Sequence, residues 1–452
     1  MHILKGYTKQ EISWMMYDWA NSAHSVIIVT LLPIFFDTVA GYTADSVSSM
    51  STWGYATSIA MLIVALAAPF LGVFGDIRGM RKKLFSFFML LGVAACAGMA
   101  FTPVMDFTSG PVAAGKVASL ILVLYIVSVI GFDASAIYYD AFLTDVTIED
   151  RMDKVSTMGY GLGYIGGSTI PLLIFLIMNL VGVPMLTCLA FVFGLTAVWW
   201  LAFSLPLLKN CEQTSGKPYE KGDVARSIKG VGTTIKEIIA NKPMLIYILS
   251  YFFYIDGVHT VISMATTYGT NLGLDSTGMM LALLLVQILG LPFCLLYIKC
   301  SEKFGARTMV GFGICVYMFI CIFAFFMNSL WQFWVLAVLC ATSQGGIQAL
   351  SRSMYGKLIP DKDRSGEFFG FFDIFGKFSS IMGPALVGVV SSVVANGMLG
   401  AQGLTAQTAT AEQIDAINAQ SSHYGILSII IIIIVGAVLY FGFLPKAERA
   451  KQ

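Results

Sequence analysis

The sequence predicts an all-α polytopic membrane protein, with twelve transmembrane helices in two six-helix bundles. Three observations carry that prediction: a strongly apolar composition, twelve apolar stretches of bilayer length, and a polar pattern that recurs in the second half. Hydrophobic residues make up 57% of the 452 residues and charged ones 12%, with a mean hydropathy of +0.79. Those values exclude an ordinary soluble chain.

A window of about nineteen residues places the spans at 14–36, 53–75, 84–104, 117–142, 157–180 and 184–206, then at 244–269, 276–298, 308–328, 331–355, 368–395 and 424–444. Each is long enough for a helix across a hydrocarbon core of roughly 30 Å. No basic segment followed by a short apolar core and a small-residue cleavage site opens the chain, so no cleaved signal is expected.

Orientation follows from the cations. With a cytoplasmic N-terminus, all 27 lysines and arginines except Lys116 and Lys377 fall in inner segments or at the inner end of a span. The positive-inside rule therefore places both termini in the cytoplasm. The domains are expected at 1–206 and 244–452, joined by a cytoplasmic linker, 207–243. Within that linker Val224, Ile228, Val231, Ile235 and Ile238 recur at helical spacing, with Lys229 and Lys236 elsewhere around the turn. The pattern is that of an amphipathic helix on the inner leaflet. In the outer stretch 396–423, Thr410 and Gln413 have the spacing of a capping box.

The first span opens with "YDWANSAHS", a carboxylate inside an apolar run. Asp18, Asn21, Ser22 and Ser25 lie on one helix face, and Asp256, His259, Thr260 and Ser263 repeat their spacing at an offset of 238. Both stripes reach another aspartate 19 residues later, Asp37 and Asp275. A second echo joins the loops "GVFGDIRGMRKKL" and "EKFGAR", where Asp76, Gly79 and Arg81 match Glu302, Gly305 and Arg307 at an offset of 226. Two six-helix halves related by sequence describe a secondary transporter, with the site expected between the halves.

The loop "GVFGDIRGMRKKL" resembles the signature G-x-x-x-D-x-x-G-x-R-[KR] of the major facilitator superfamily. More narrowly, "YDWANSA" and "GGIQALSRSMYGKLIPDKDRSGEFFGFFDIFGKFSSIMGP" resemble the "unknown major facilitator" family, which includes the fungal vacuole effluxers. The resemblance covers the whole chain. It implies the major facilitator fold and favours amino acids as substrates. It also implies that Asp76 faces the N-terminus of the eleventh span in the outward-open state, where free N–H groups and the helix dipole favour a carboxylate. Gly72 and Gly79 would permit close packing and a tight turn. Arg81 completes the loop motif, and Lys82 and Lys83 serve equally well as topology anchors. The fourth span lacks the arginine of many proton-coupled members, and the fifth lacks the antiporter Gly-Pro pattern.

Other polar residues lie within the spans. Asp133 and Asp140 share a face of the fourth, Gln344, Gln348 and Arg352 step by fours along the tenth, and Asp373 with Lys377 form an i, i+4 pair in the eleventh. Candidates for binding substrate or a proton are Asp18, Asn21, Ser22, Asp133, Tyr139, Asp256, His259, Gln344 and Gln348. Tyr17 and Tyr254 are further wall candidates. Asp140, Arg352, Asp373 and Lys377 are candidates for an inner gate, with a simple network of ion pairs as the competing reading. For Asp18 and Asp256 the competing reading is helix packing through bonds to Ser, Thr or Asn; for His259 it is a plain hydrogen bond.

No Walker loop, nucleotide fingerprint or nucleophile–base pair is present, so neither catalysis nor a cofactor is expected. The eight cysteines lack metal-ligand spacing, which points to free thiols and no metal. A net charge of +1 gives no reason to expect a nucleic-acid partner. The expected function is alternating-access transport of a small polar metabolite, coupled to protons through the intramembrane carboxylates. The expected partners are a small-molecule substrate and the lipid bilayer, with a monomer in a bacterial cytoplasmic membrane. A non-transporting sensor or partner subunit on the same fold is the alternative, and an intramembrane enzyme a more distant one.

Overall fold

The computed structural model describes residues 4–43, 49–218, 223–404 and 408–445. Positions 219–222 of the expected linker and the basic tail 446–452 lie outside them. The described residues form helices α1 (Lys9–Ala40), α2 (Ser49–Gly75), α3 (Arg81–Met99), α4 (Pro111–Val146), α5 (Glu149–Gly163), α6 (Ile170–Leu180) and α7 (Met185–Asn210). After the linker helix α8 (Asp223–Ala240) come α9 (Lys242–Asn271), α10 (Ser276–Phe304), α11 (Ala306–Phe325), α12 (Leu330–Leu358), α13 (Ser365–Ala401) and α14 (Ala411–Ala437). Twelve spans long and apolar enough to cross a membrane result, with α5 and α6 joined by a π-helical stretch, Tyr164–Thr169, into one of them. All twelve expected spans are present.

Local chemistry starts several of these helices. Thr8 and Glu11 form a reciprocal capping box on α1, and Thr410 and Gln413 do the same on α14. Asp275 caps α10 by accepting the Gly278 N–H at 2.6 Å. The amphipathic helix expected in the linker is α8; Ile238 is buried and Ile235 exposed, while the side chains of Val224 and Ile228 lie outside the described ones.

Two compact units emerge: Met1–Thr234 with Ile359–Ile374, and Ile235–Leu358 with Phe375–Gln452. The first turns of α13 thus belong with the N-terminal spans. In the first unit α1 packs on α4, α5 and α7, and α3 on α4 and α7; in the second α9 packs on α14, and α12 on α10 and α11. Lipid offers helices no hydrophobic drive to associate, so close packing must come from small residues. Gly131 of α4 is such a residue, because a Cβ there would lie 2.6 Å from the Gly92 Cα of α3. The eight cysteines are free.

Candidate functional site

The loop between α2 and α3 is a densely bonded polar feature of the first unit. Gly79 turns it with φ +79°, which favours glycine. Asp76 is thereby presented to the N-terminus of α13, where its Oδ1 accepts the Gly366 N–H at 2.7 Å and its Oδ2 the Glu367 N–H at 2.8 Å. Two of the N–H groups that every helix start leaves unpaired are satisfied by one carboxylate. Gly72 lets the two backbones meet, since a Cβ there would strike the Gly366 carbonyl.

Arg81 is 0% exposed. Its guanidinium donates to Asp76 at 2.8 Å and Ser365 at 2.9 Å, and also to Asp145, Ser215 and the Ala141 carbonyl. Burial pushes the Asp76 carboxyl up to about 7, although Arg81 and the two N–H groups pull the other way.

The sequence reading missed the groups that complete this cluster. Linker residue Gln213 accepts from the Gly79 and Arg81 N–H groups and donates to the Gly75 carbonyl. Thr214 and Ser215 bond Asp145, Gly216 N–H donates to Asp363, and Ile77 pairs with Lys217 in an isolated bridge. Thr234 of α8 bonds both Arg364 and Glu367. A sequence signal for the helix start did exist in "DRSGE"; nothing in the polar, unpatterned "QTSGK" pointed at the loop.

Inside the spans of the first unit, Asp18 sits against the glycines of α5. A Cβ at Gly159 would meet the Asp18 carboxylate, and one at Gly163 would lie 2.5 Å from Ser22 Oγ. Ser22 donates to the Asp18 carbonyl at 2.7 Å, and Asp18, Asn21 and Asp133 are nearly buried. The tyrosines of this unit are packed among its helices. Tyr17 bonds Ser135 at 2.7 Å, and Tyr139 stacks on Trp14 at 4.4 Å, 1% exposed. The Tyr139 ring lies against α1, and its backbone carbonyl accepts the Trp14 indole N–H at 2.8 Å.

The second unit repeats the arrangement on α9 and α13. Asp256 Oδ1 accepts the Gly383 N–H at 2.9 Å, and a Cβ at Gly383 would strike the Thr260 hydroxyl. His259 approaches Ser379 at 3.4 Å. Tyr254 bonds Ser351 at 2.6 Å, as Tyr17 bonds Ser135, and so is also tied into helix packing. Gln344 borders a mainly apolar cavity of about 90 Å³ with Gln287 and Tyr268, and Gln348 follows it on α12. The four gate candidates divide between the units: Asp140 and Asp373 belong to the first, Arg352 and Lys377 to the second. Among the described residues no group of three or more His, Cys, Asp or Glu is arranged to hold a metal ion.

Comparison with known proteins agrees with this architecture. Residues 7–397 match the family described as vacuole effluxer Atg22 like. The MFS-type transporter YxiO of Bacillus subtilis is 40% identical over 98% of this chain and 96% of its own. Autophagy-related protein 22-1 of Penicillium rubens is 25% identical over 55% of this chain and 46% of its own length. Among solved structures, the proton:xylose symporter XylE superposes with a TM-score of 0.72 at 13% identity, covering 97% of this chain and 95% of that one. A bacterial homologue of the iron transporter ferroportin gives 0.61 at 16% identity, covering 95% and 98%. At such identities the likeness shows the fold alone, and that fold is the major facilitator fold. The chain is a multi-pass membrane protein that belongs to the vacuole effluxer Atg22 like family.

Proposed function

We propose that this protein is a secondary transporter that moves a small polar metabolite, amino acids foremost, across a bacterial cytoplasmic membrane by alternating access coupled to protons. The observation that carries the reading is the repeated carboxylate stripe. Asp18 with Ser22 on α1, and Asp256 with Thr260 on α9, stand at one spacing, each pressed against a glycine of another helix. A carboxylate in an apolar helix is costly to keep, and its recurrence in both units supports use rather than accident.

Amino acids are favoured by the family resemblance; the names of the relatives supply only a transporter and a vacuole effluxer. Asp18, Asn21, Ser22 and Asp133 in the first unit, and His259, Gln344 and Gln348 in the second, are the proposed contacts for solute. Asp140, Arg352, Asp373 and Lys377 are the proposed gate charges. Both termini face the cytoplasm in this reading, and the protein acts as a monomer with no nucleic-acid partner. The Asp76–α13 contact supports a loop that fastens one state of the cycle, which the resemblance implies is the outward-open one.

The test is counterflow into proteoliposomes loaded with a pool of unlabelled amino acids. Labelled amino acid should accumulate transiently in protein-containing vesicles and not in empty ones. Binding of amino acids without any flux would instead favour a sensor on the same fold.

A further inference from the structure

We infer that Asp256 is a proton-holding residue whose protonation is tied to the closed seam between α9 and the Gly383–Pro384 segment of α13, rather than a contact for the transported solute. This rests on the transporter reading above and assigns one part of it to a particular carboxyl group.

The geometry is specific to this aspartate. Asp256 is 0% exposed. Its Oδ1 accepts the Gly383 N–H at 2.9 Å, whereas Oδ2 is buried without any hydrogen-bond partner. Four residues on, one turn along α9, the Thr260 hydroxyl is equally buried and equally unpartnered. The next residue of α13, Pro384, has no N–H, so the Ser380 carbonyl one turn earlier lacks its usual helical donor. In this corner one carboxyl oxygen is held by a backbone N–H and the other is left unbonded, with the Thr260 hydroxyl as the neighbouring polar side chain.

An ionised carboxylate in that corner would be a buried charge with no counter-ion, which costs several kcal/mol. The titratable and charged groups nearby do not supply one. On α9 they are His259, which faces Ser379, and Tyr254, which bonds Ser351. On α13 the cation is Lys377, whose electrostatic influence is felt at His259. Helix α14 presents Ile429 and Ile433 beside Gly257. A hard metal cation would want roughly six oxygens, more than the corner offers. A proton on Oδ2 resolves the mismatch: it removes the uncompensated charge, and the carboxyl O–H can then donate to the Thr260 oxygen. Release of that proton requires water to hydrate the carboxylate, and water reaches Asp256 when α9 and α13 part at Gly383. Proton loss and opening of the seam are then one event.

The direct test is infrared difference spectroscopy of the full chain in liposomes, stepping the pH from neutral to alkaline. The wild type should show the carbonyl band of a protonated carboxyl at neutral pH. Measured in an Asp76→Asn background, which silences the other carboxyl that titrates near neutral pH, Asp256→Asn should remove that band, Asp18→Asn should leave it, and Thr260→Val should shift its frequency by deleting a partner. A band unchanged in Asp256→Asn would overturn the assignment, whether or not any variant transports. In the counterflow assay, Asp256→Asn should keep exchange of labelled amino acid and lose at least tenfold of the accumulation driven by a pH gradient. Retained gradient-driven accumulation would also overturn it. Absence of counterflow in the wild type would sink the transporter reading and leave the infrared result to stand alone. Asp256→Glu, which restores a carboxyl, guards against misfolding: it should recover the band.

Discussion

Two loops related by the internal repeat share a backbone turn and differ in what they hold. Gly79 and Gly305 occupy matching positions with φ +79° and +83°. Beside the first, Asp76 is buried on the N-terminus of α13 and on Arg81. Beside the second, Glu302 is exposed. The turn is thus a general requirement of reversing between two helices, whereas the carboxylate beside it is buried in one copy and exposed in the other. The repeated aspartates differ in a similar way. Asp18 has glycines of α5 alongside it, but Asp256 meets a helix interrupted by proline and keeps one oxygen unused.

The largest effect should come from Arg81→Gln, which strands Asp76 and Asp145 without their shared cation. Removing one partner of a buried pair costs about 3–5 kcal/mol, read as a lowered thermal midpoint in detergent. Arg307→Gln, at the matching position, should cost far less; equal costs would erase the asymmetry. Asp76→Asn follows, since the amide turns a donor toward one of two helix N–H groups. Docking should weaken by about 1.5–3 kcal/mol, transport should fall, and membrane insertion should stay normal. Normal transport by a well-expressed variant would contradict the role given to the loop.

The pH dependence of docking sharpens the same contrast. Burial raises the docked Asp76 carboxyl to about 7, so the docked loop binds a proton more tightly than the free one. Docking should therefore gain as pH falls through about 7, by about 1.4 kcal/mol for each unit, levelling off near an ordinary carboxylate value of about 4. Above about 7 it should be flat. Spin labels at the exposed positions 83 and 362 would report the distance, and Asp76→Asn should abolish the trend. Gly79→Ala and Gly305→Ala should each cost about 1 kcal/mol, because φ alone opposes a side chain there; unequal costs would show that the turns are not equivalent. Glu302→Gln should be smallest, within about 0.5 kcal/mol.

The twelve spans and the repeat were legible because apolar length and polar spacing are local properties of the chain. Asp76 and Gly72 were legible through a compact motif. Arg81 was recognised as part of that motif, but its full burial was not, since its partners Asp145, Ser215 and Ser365 come from distant segments. Gln213 was invisible for the same reason: a glutamine in a polar linker has no pattern until a backbone arrives to bond it. The serine partners of Tyr17 and Tyr254 were not legible, because a phenol suits a solute and a buried serine equally well in sequence. His24 likewise bonds Ser128 at 3.2 Å and stacks on Phe132.

Repeated polar stripes that belong to a transporter, rather than to a rigid membrane scaffold, must accompany solute flux. Counterflow of labelled amino acids into loaded proteoliposomes tests it most directly. The account predicts a transient overshoot of label in vesicles holding the wild-type chain, reduced by Asp76→Asn and preserved by Glu302→Gln. Uptake no greater than in protein-free vesicles would contradict it.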